Sequence, residues 1–179
     1  MIIGQGVRRG DGVSKVTGKA LYVDDIAVAG CLHGVTVRSP HARAKIISIE
    51  KSDEFDWSGV TVVTAKDIRG ENTIYLMTRD QPALAESEVK HCHEPVALIA
   101  ADSLEKAREA VEFLHVTYEP LPPLLDAAKS RGSDICIFGS DNTFKEITIK
   151  KGDHEGVTGG TLIEGTYKTG LHEQLYIEP

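Results

Sequence analysis

The chain has 179 residues, 41% of them hydrophobic and 26% charged, with a net charge of −7. These proportions exclude a disordered or fibrous chain, and no apolar run approaches the ~20 residues of a membrane-spanning helix. The 27 acids against 20 bases also disfavour nucleic acid as a partner, because phosphate is met mainly by Lys and Arg.

The length suits one domain, or one domain with an appendage. Met1 to Gln5 shows no basic stretch followed by an apolar one, so no secretory signal is expected. Residues 4–12 are Gly-rich and form an irregular arm. Their G-x-G has no strand before it and no helix after it, which argues against a dinucleotide-binding turn. Ala20 to Val23 is a strand candidate. Leu32 to Ser39 alternates apolar Val35 and Val37 with polar Thr36 and Arg38, which predicts a strand that Pro40 stops. Lys45 to Glu50 and Val60 to Thr64 predict two more strands, with a turn near 54–57 between them and a helical turn at 65–68 after them. Residues 69–88 lack a clear period and read as a long loop, with a short strand at 74–76; loops of this length often carry function.

Pro95 to Ala101 is almost wholly apolar and predicts a strand buried on both faces. Asp102 then fits a helix N-cap, with Glu105 completing a box-like pair. The helix runs over 103–114, with Leu104, Ala107, Val111 and Leu114 on one face. Residues 115–119 return as a strand, stopped by Pro120, Pro122 and Pro123. Strand, helix and strand in about 25 residues suggest a parallel β-α-β unit. A short helix at 124–130, a Gly/Ser/Asp-rich linker at 131–143 and strands at 145–150, 161–169 and 171–177 complete the reading.

Each catalytic template has a gap. There is no G-x-S-x-G elbow and no phosphate-binding G-x-x-x-x-G-K. Cys31, Cys92 and Cys136 are odd in number and widely spaced, so they do not form a disulfide framework. They fit a reducing, cytoplasmic compartment, and are too few for a cluster that takes four Cys. Cys31 and Cys136 are expected to be small buried or half-buried residues. His91 and His93 would share a face in a strand and could bind a metal jointly, but a closed zinc site needs about four ligands. A polar strand entering the sheet is the simpler reading. The prolines at 120–123 read as a rigid strand exit, since Leu121 and Leu124 interrupt them. Trp57, the single tryptophan, reads as a satellite core anchor. The end at Ile177-Glu178-Pro179, directly after a predicted strand, suggests a fragment or a subunit completed by another polypeptide.

Four segments carry a family resemblance: Asp11 to Ile26 (DGVSKVTGKALYVDDI), Val37 to Ile46 (VRSPHARAKI), Glu94 to Ala101 (EPVALIAA) with its continuation to Pro122, and the tail Lys151-Gly152-Asp153 with His172 to Pro179 (HEQLYIEP). In this order they resemble the molybdenum-binding chain of the xanthine dehydrogenase/aldehyde oxidase family at its N-terminal a/b hammerhead domain. The resemblance implies an α+β fold of mixed sheets with one main helix near 103–114 and a C-terminal β extension. It implies an arm at 1–15, the hammerhead domain at 16–130, a linker at 131–144, and the truncated start of a molybdopterin-binding domain at 145–179.

It also implies a context. Family enzymes hydroxylate aldehydes or N-heterocycles with water-derived oxygen at a molybdenum-pterin centre, and pass electrons to iron–sulfur clusters and a flavin or another acceptor on other domains or subunits. The pterin-binding segments and the catalytic glutamate lie beyond this sequence, so no catalytic, cofactor-binding or metal residue carries over. This chain is then expected to be a structural part of an oxidoreductase, inactive alone, whose partners are the molybdopterin-binding domains and the iron–sulfur and flavin subunits. At His93 the sequence departs from the family pattern, which often has Gly before Glu94-Pro95. The alternative is a free-standing binding module using the 69–93 loop, with His91 and His93 on a metal.

Overall fold

The computed structural model describes residues 3–75, 79–152, 156, 159–161 and 163–175. The chain divides into two compact units: residues 30–149, and residues 1–29 with 150–179. The larger is α+β, with two three-stranded antiparallel sheets and few helices. The smaller contains α1 (Gly12–Val16), where Asp11 pairs with Arg9 at 2.6 Å and Lys15 at 2.9 Å, and a 3-10 turn at Val23–Asp25. None of its described residues is buried; Gly12, Ser14 and Ala20 are half-buried.

In the larger unit the strands are β1 (His33–Arg38), β2 (Ala44–Lys51), β3 (Thr61–Thr64), β4 (Glu88–Val89), β5 (Pro95–Ala101) and β6 (Leu114–Pro120). One sheet has the order β1-β5-β3 and the other β4-β2-β6. Val35 pairs with Ile99 and Val62 with the same Ile99 from the opposite flank, so β5 is the centre of its sheet. In the second sheet β2 is central, with Ile49 opposite Val116. Its register slips between Ile46 and Ser48, a bulge that leaves Ile47 exposed.

The strand-helix-strand passage is not a parallel β-α-β unit. β5 is paired with β1 and β3, so no flank is free for a returning parallel strand. The chain instead crosses α2 (Leu104–Glu112) into the second sheet, where β6 runs antiparallel to β2. The helix packs on both sheets, contacting β1, β5 and β6. Its buried residues are Ala107 and Ala110, small enough to bring the helix close to the strands, while Val111 packs at the margin. Leu104 is 38% exposed and Leu114 already belongs to β6, so the apolar face is narrower than the one read from sequence. Ser103, not Asp102, caps the helix, with its Oγ accepting from Lys106 N at 3.2 Å.

Strand β5 is also less enclosed than its composition suggests. Ala97, Ile99 and Ala101 are buried on one face, but Leu98 on the other is 40% exposed. The core gathers these residues with Val37, Val60, Val89, Val96 and Leu114.

The predicted strands at 20–23, 145–150, 161–169 and 171–177 are absent over their described residues. Residues 162, 176 and 177 lie outside the described set, as does Leu76 of the 74–76 expectation. Ile74 makes only an isolated bridge to Gln81. Alternation prepares a strand, but a strand exists only where another backbone completes its ladder. The short helix is α3 (Ala127–Ser130), capped by Asp126. After it, residues 131–143 wrap around Asn142, whose amide binds Ser130 O and Ile135 O and whose Oδ1 accepts from Ile137 N and Phe138 N.

The cap assignment makes a direct prediction. Ser103→Ala should cost about 1 kcal/mol in urea or thermal unfolding, and Asp102→Ala distinctly less. An equal or reversed pair of losses would return the cap to Asp102.

Candidate functional site

The segments Arg38-Ser39-Pro40-His41 and His93-Glu94-Pro95 meet where β1 ends and β5 begins. Pro40 cannot extend the ladder, so the chain turns at Ser39. Ser39 is fully buried and uses its polar atoms. Its N–H donates to Glu94 O at 3.0 Å, its carbonyl accepts from His93 N at 2.8 Å, and its Oγ accepts from His41 N at 3.1 Å. Glu94 is 3% exposed, and its carboxylate accepts from the backbone N–H of Lys90. Arg38 Nη1 closes the corner on His93 O at 2.9 Å.

These backbone bonds hold His93 at φ +66°, in the left-handed region that favours glycine. The side chain thus falls on a strained backbone position. The corner's bonds to His93 use its N–H and carbonyl, so they ask nothing of the imidazole.

Tyr118 of β6 stands beside this corner. Its ring meets that of His41 edge-on at 4.9 Å. Burial raises the Tyr118 pKa above the ordinary phenol value, with the nearby Ser39 side chain a smaller opposing effect.

The long loop is a second organising element. Asn72 Nδ2 donates to Leu84 O at 2.7 Å, while its Oδ1 accepts from Ala83 N and Leu84 N. Leu84 and Ala85 are buried. Ala85 N then donates to Pro95 O in the first sheet, and Ser87 O accepts from Ile46 N in the second. Thus residues 84–89 tie the two sheets together. Nothing in the sequence period marked Asn72, although Asn is a residue type that satisfies loop backbone with its side chain.

The metal reading of the loop does not survive this geometry. Residues 91–93 form a turn, not a strand, closed by Glu94 N on His91 O at 3.3 Å, so His91 and His93 have no common strand face. Among the described residues no three His, Cys, Asp or Glu side chains gather as a metal donor set. The cysteine expectation is also corrected: Cys31 and Cys136 are exposed, as is Cys92. Cys31 and Cys136 lie in irregular segments outside the core. Trp57 does anchor the core margin, with Nε1 donating to Ser52 O at 2.8 Å and Phe55 edge-on at 5.0 Å.

Residues 17–122 match the aldehyde oxidase and xanthine dehydrogenase a/b hammerhead domain. The chain belongs to this family. It is 32% identical over 183 residues to a probable xanthine dehydrogenase component of Bacillus subtilis, covering 99% of this chain and 25% of that protein. The aldehyde oxidoreductase of Desulfovibrio gigas superimposes with a TM-score of 0.64 at 32% identity, over 72% of this chain and 16% of that one. A Cu,Mo-CO dehydrogenase gives 0.65 at 36% identity, over 73% and 17%. The chain therefore spans about a quarter or less of these relatives. The α+β hammerhead expectation is met, and the corner at Ser39 and Glu94 lies inside the matched domain.

Two outcomes follow from the corner. His93→Gly should stabilise the chain by about 0.5–1 kcal/mol, the relief of a left-handed side chain exceeding glycine's added chain entropy. A loss of stability in urea unfolding would mean that the imidazole contributes packing. Tyr118 should ionise later than an exposed tyrosine in an absorbance titration at alkaline pH. Because its folded pKa is raised, the associated stability is fully present below about pH 10 and is lost as pH rises through the folded value. Tyr118→Phe should remove the late component.

Proposed function

We propose that this chain is a structural, N-terminal part of a molybdenum hydroxylase and is inactive alone. In this reading residues 1–15 form an arm, 16–130 the hammerhead domain, 131–144 a linker, and 145–179 the start of a molybdopterin-binding domain. The complete enzyme would hydroxylate N-heterocycles or aldehydes with oxygen from water. Its molybdenum-pterin group would be held by sequence outside these 179 residues, with iron–sulfur clusters, and a flavin or another electron acceptor, on other domains or subunits. The reading carries a cytoplasmic location, supported by three free cysteines. No helix among the described residues is long and apolar enough to cross a membrane.

One observation carries the proposal. In the smaller unit, large apolar side chains stand in water along both of the segments that build it. Val13, Val16, Leu21, Val23 and Ile26 are exposed in the N-terminal part, and Ile163, Tyr167, Leu171 and Leu175 in the C-terminal part. A surface this apolar ordinarily marks an interface. Relatives about four times longer offer the covering sequence. The Bacillus relative is itself named as one subunit of an enzyme, which supports partner chains.

The test compares the 179-residue chain with a polypeptide extended to the length of its relatives, both produced with the molybdenum cofactor available. The short chain should purify colourless, without stoichiometric molybdenum and without hydroxylase turnover. The extended one should bind molybdenum and lose the exposed apolar surface, read by dye binding. Turnover or stoichiometric molybdenum in the short chain would end the proposal, and bound zinc would favour a free-standing binding module.

A further inference from the structure

Strand β6 is the outer strand of the order β4-β2-β6 and, at 7 residues, longer than the edge strands β1 and β3 of the other sheet. Among the described residues its ladder is made with β2 alone. A strand in this position offers its outward N–H and C=O groups to another strand.

The ends of the ladder show which groups those are. Ser52 N donates to Phe113 O at 2.9 Å, and Leu121 N donates to Arg43 O at 3.0 Å, so Phe113 and Leu121 both turn their backbone to β2. Backbone direction alternates along an antiparallel strand. His115, Thr117 and Glu119 therefore bond to β2, and Val116 and Tyr118 turn their N–H and C=O outward. The bulge at Ile47 lies on β2, so it leaves the alternation along β6 intact.

A second copy laid antiparallel on this edge, with a two-fold axis at Thr117, complements it. Val116 then faces Tyr118 of the second copy, and the pair exchanges both N–H···O bonds. Pro120, which lacks an N–H, falls at the end of the register. The side chains agree with this register. His115, Thr117 and Glu119 are exposed. His115 comes opposite Glu119 of the second copy in a non-hydrogen-bonded pair, where side chains approach most closely. Within one chain Glu50 is opposite His115, and Lys45 is opposite Glu119 with an ion pair at 3.3 Å. Across the joined sheets the row reads Glu50 and His115, then Glu119 and Lys45 of the second copy, so a carboxylate meets an imidazole or ammonium at each step. Opposite charges, Thr against Thr, and an aromatic against a β-branched residue are pairs that stabilise antiparallel sheets.

We propose that β6 pairs with β6 of a second copy of this chain, joining their β4-β2-β6 sheets through a symmetric edge. One strand serves both sides, as a two-fold interface requires. The inference is independent of the scaffold reading above.

The test uses the full chain. Its sedimenting mass should double over a concentration series. Cysteine pairs then fix the register, in a background where the exposed Cys31, Cys92 and Cys136 are replaced by Ser. Thr117→Cys meets its own copy at about 4.5 Å between Cα atoms, within disulfide reach. His115→Cys meets its own copy only at roughly 13 Å, beyond that reach. Under mild oxidation Thr117→Cys should link at least ~10-fold faster than His115→Cys, the gain of a held geometry over random collision. A mixture of His115→Cys and Glu119→Cys chains should link to each other. A monomer at every concentration would overturn the proposal, leaving the edge to solvent or to a strand of other sequence. So would a dimer in which the two single variants link equally or not at all, since it would have formed through another surface. Neither readout involves molybdenum or turnover, so failure here and failure of the scaffold reading are told apart.

Discussion

Two three-stranded sheets are each small for a stable unit, and the larger unit depends on the seam that joins them. Residues 84–95 make that seam. They bury Leu84 and Ala85, give a backbone bond to each sheet, pair β4 with β2, and then become β5. The same stretch closes the corner on Ser39 through His93 and Glu94. A seam of this type fixes the sheets without a large core, because each buried polar group finds a partner. Among the described residues no buried side-chain nitrogen or oxygen is left without one.

The seam also explains where strain is tolerated. His93 sits at positive φ because four surrounding backbone and side-chain bonds, from Ser39, Arg38, Lys90 and Glu94, determine the path of the turn. Local preference yields to that set of bonds. A glycine would follow the same path freely.

The distribution of chemistry points the same way as the distribution of surface. The polar groups that the fold buries, Ser39 and Glu94, are consumed in holding backbone. The three cysteines lie outside the core.

Hydrophobic alternation at 32–39, 45–50 and 60–64, together with the apolar run 95–101, marked β1, β2, β3 and β5 of the larger unit, because burial of one face is written in the spacing of side chains, whereas β4 (Glu88–Val89) fell at the end of the stretch read as a loop. The helix over 104–112 was legible for the same reason, and the family was legible in the segments around Ser39 and Glu94. Neighbours were not. That β6 leaves for the second sheet follows from both flanks of β5 being filled, and that Ser103 caps in place of Asp102 follows from which backbone turns first. The alternating segments at 145–150 and beyond show the limit most clearly. Period supplies the faces of a strand, but its existence is decided by a second backbone, and hydrogen-bonded pairing between distant segments is a property of tertiary structure alone.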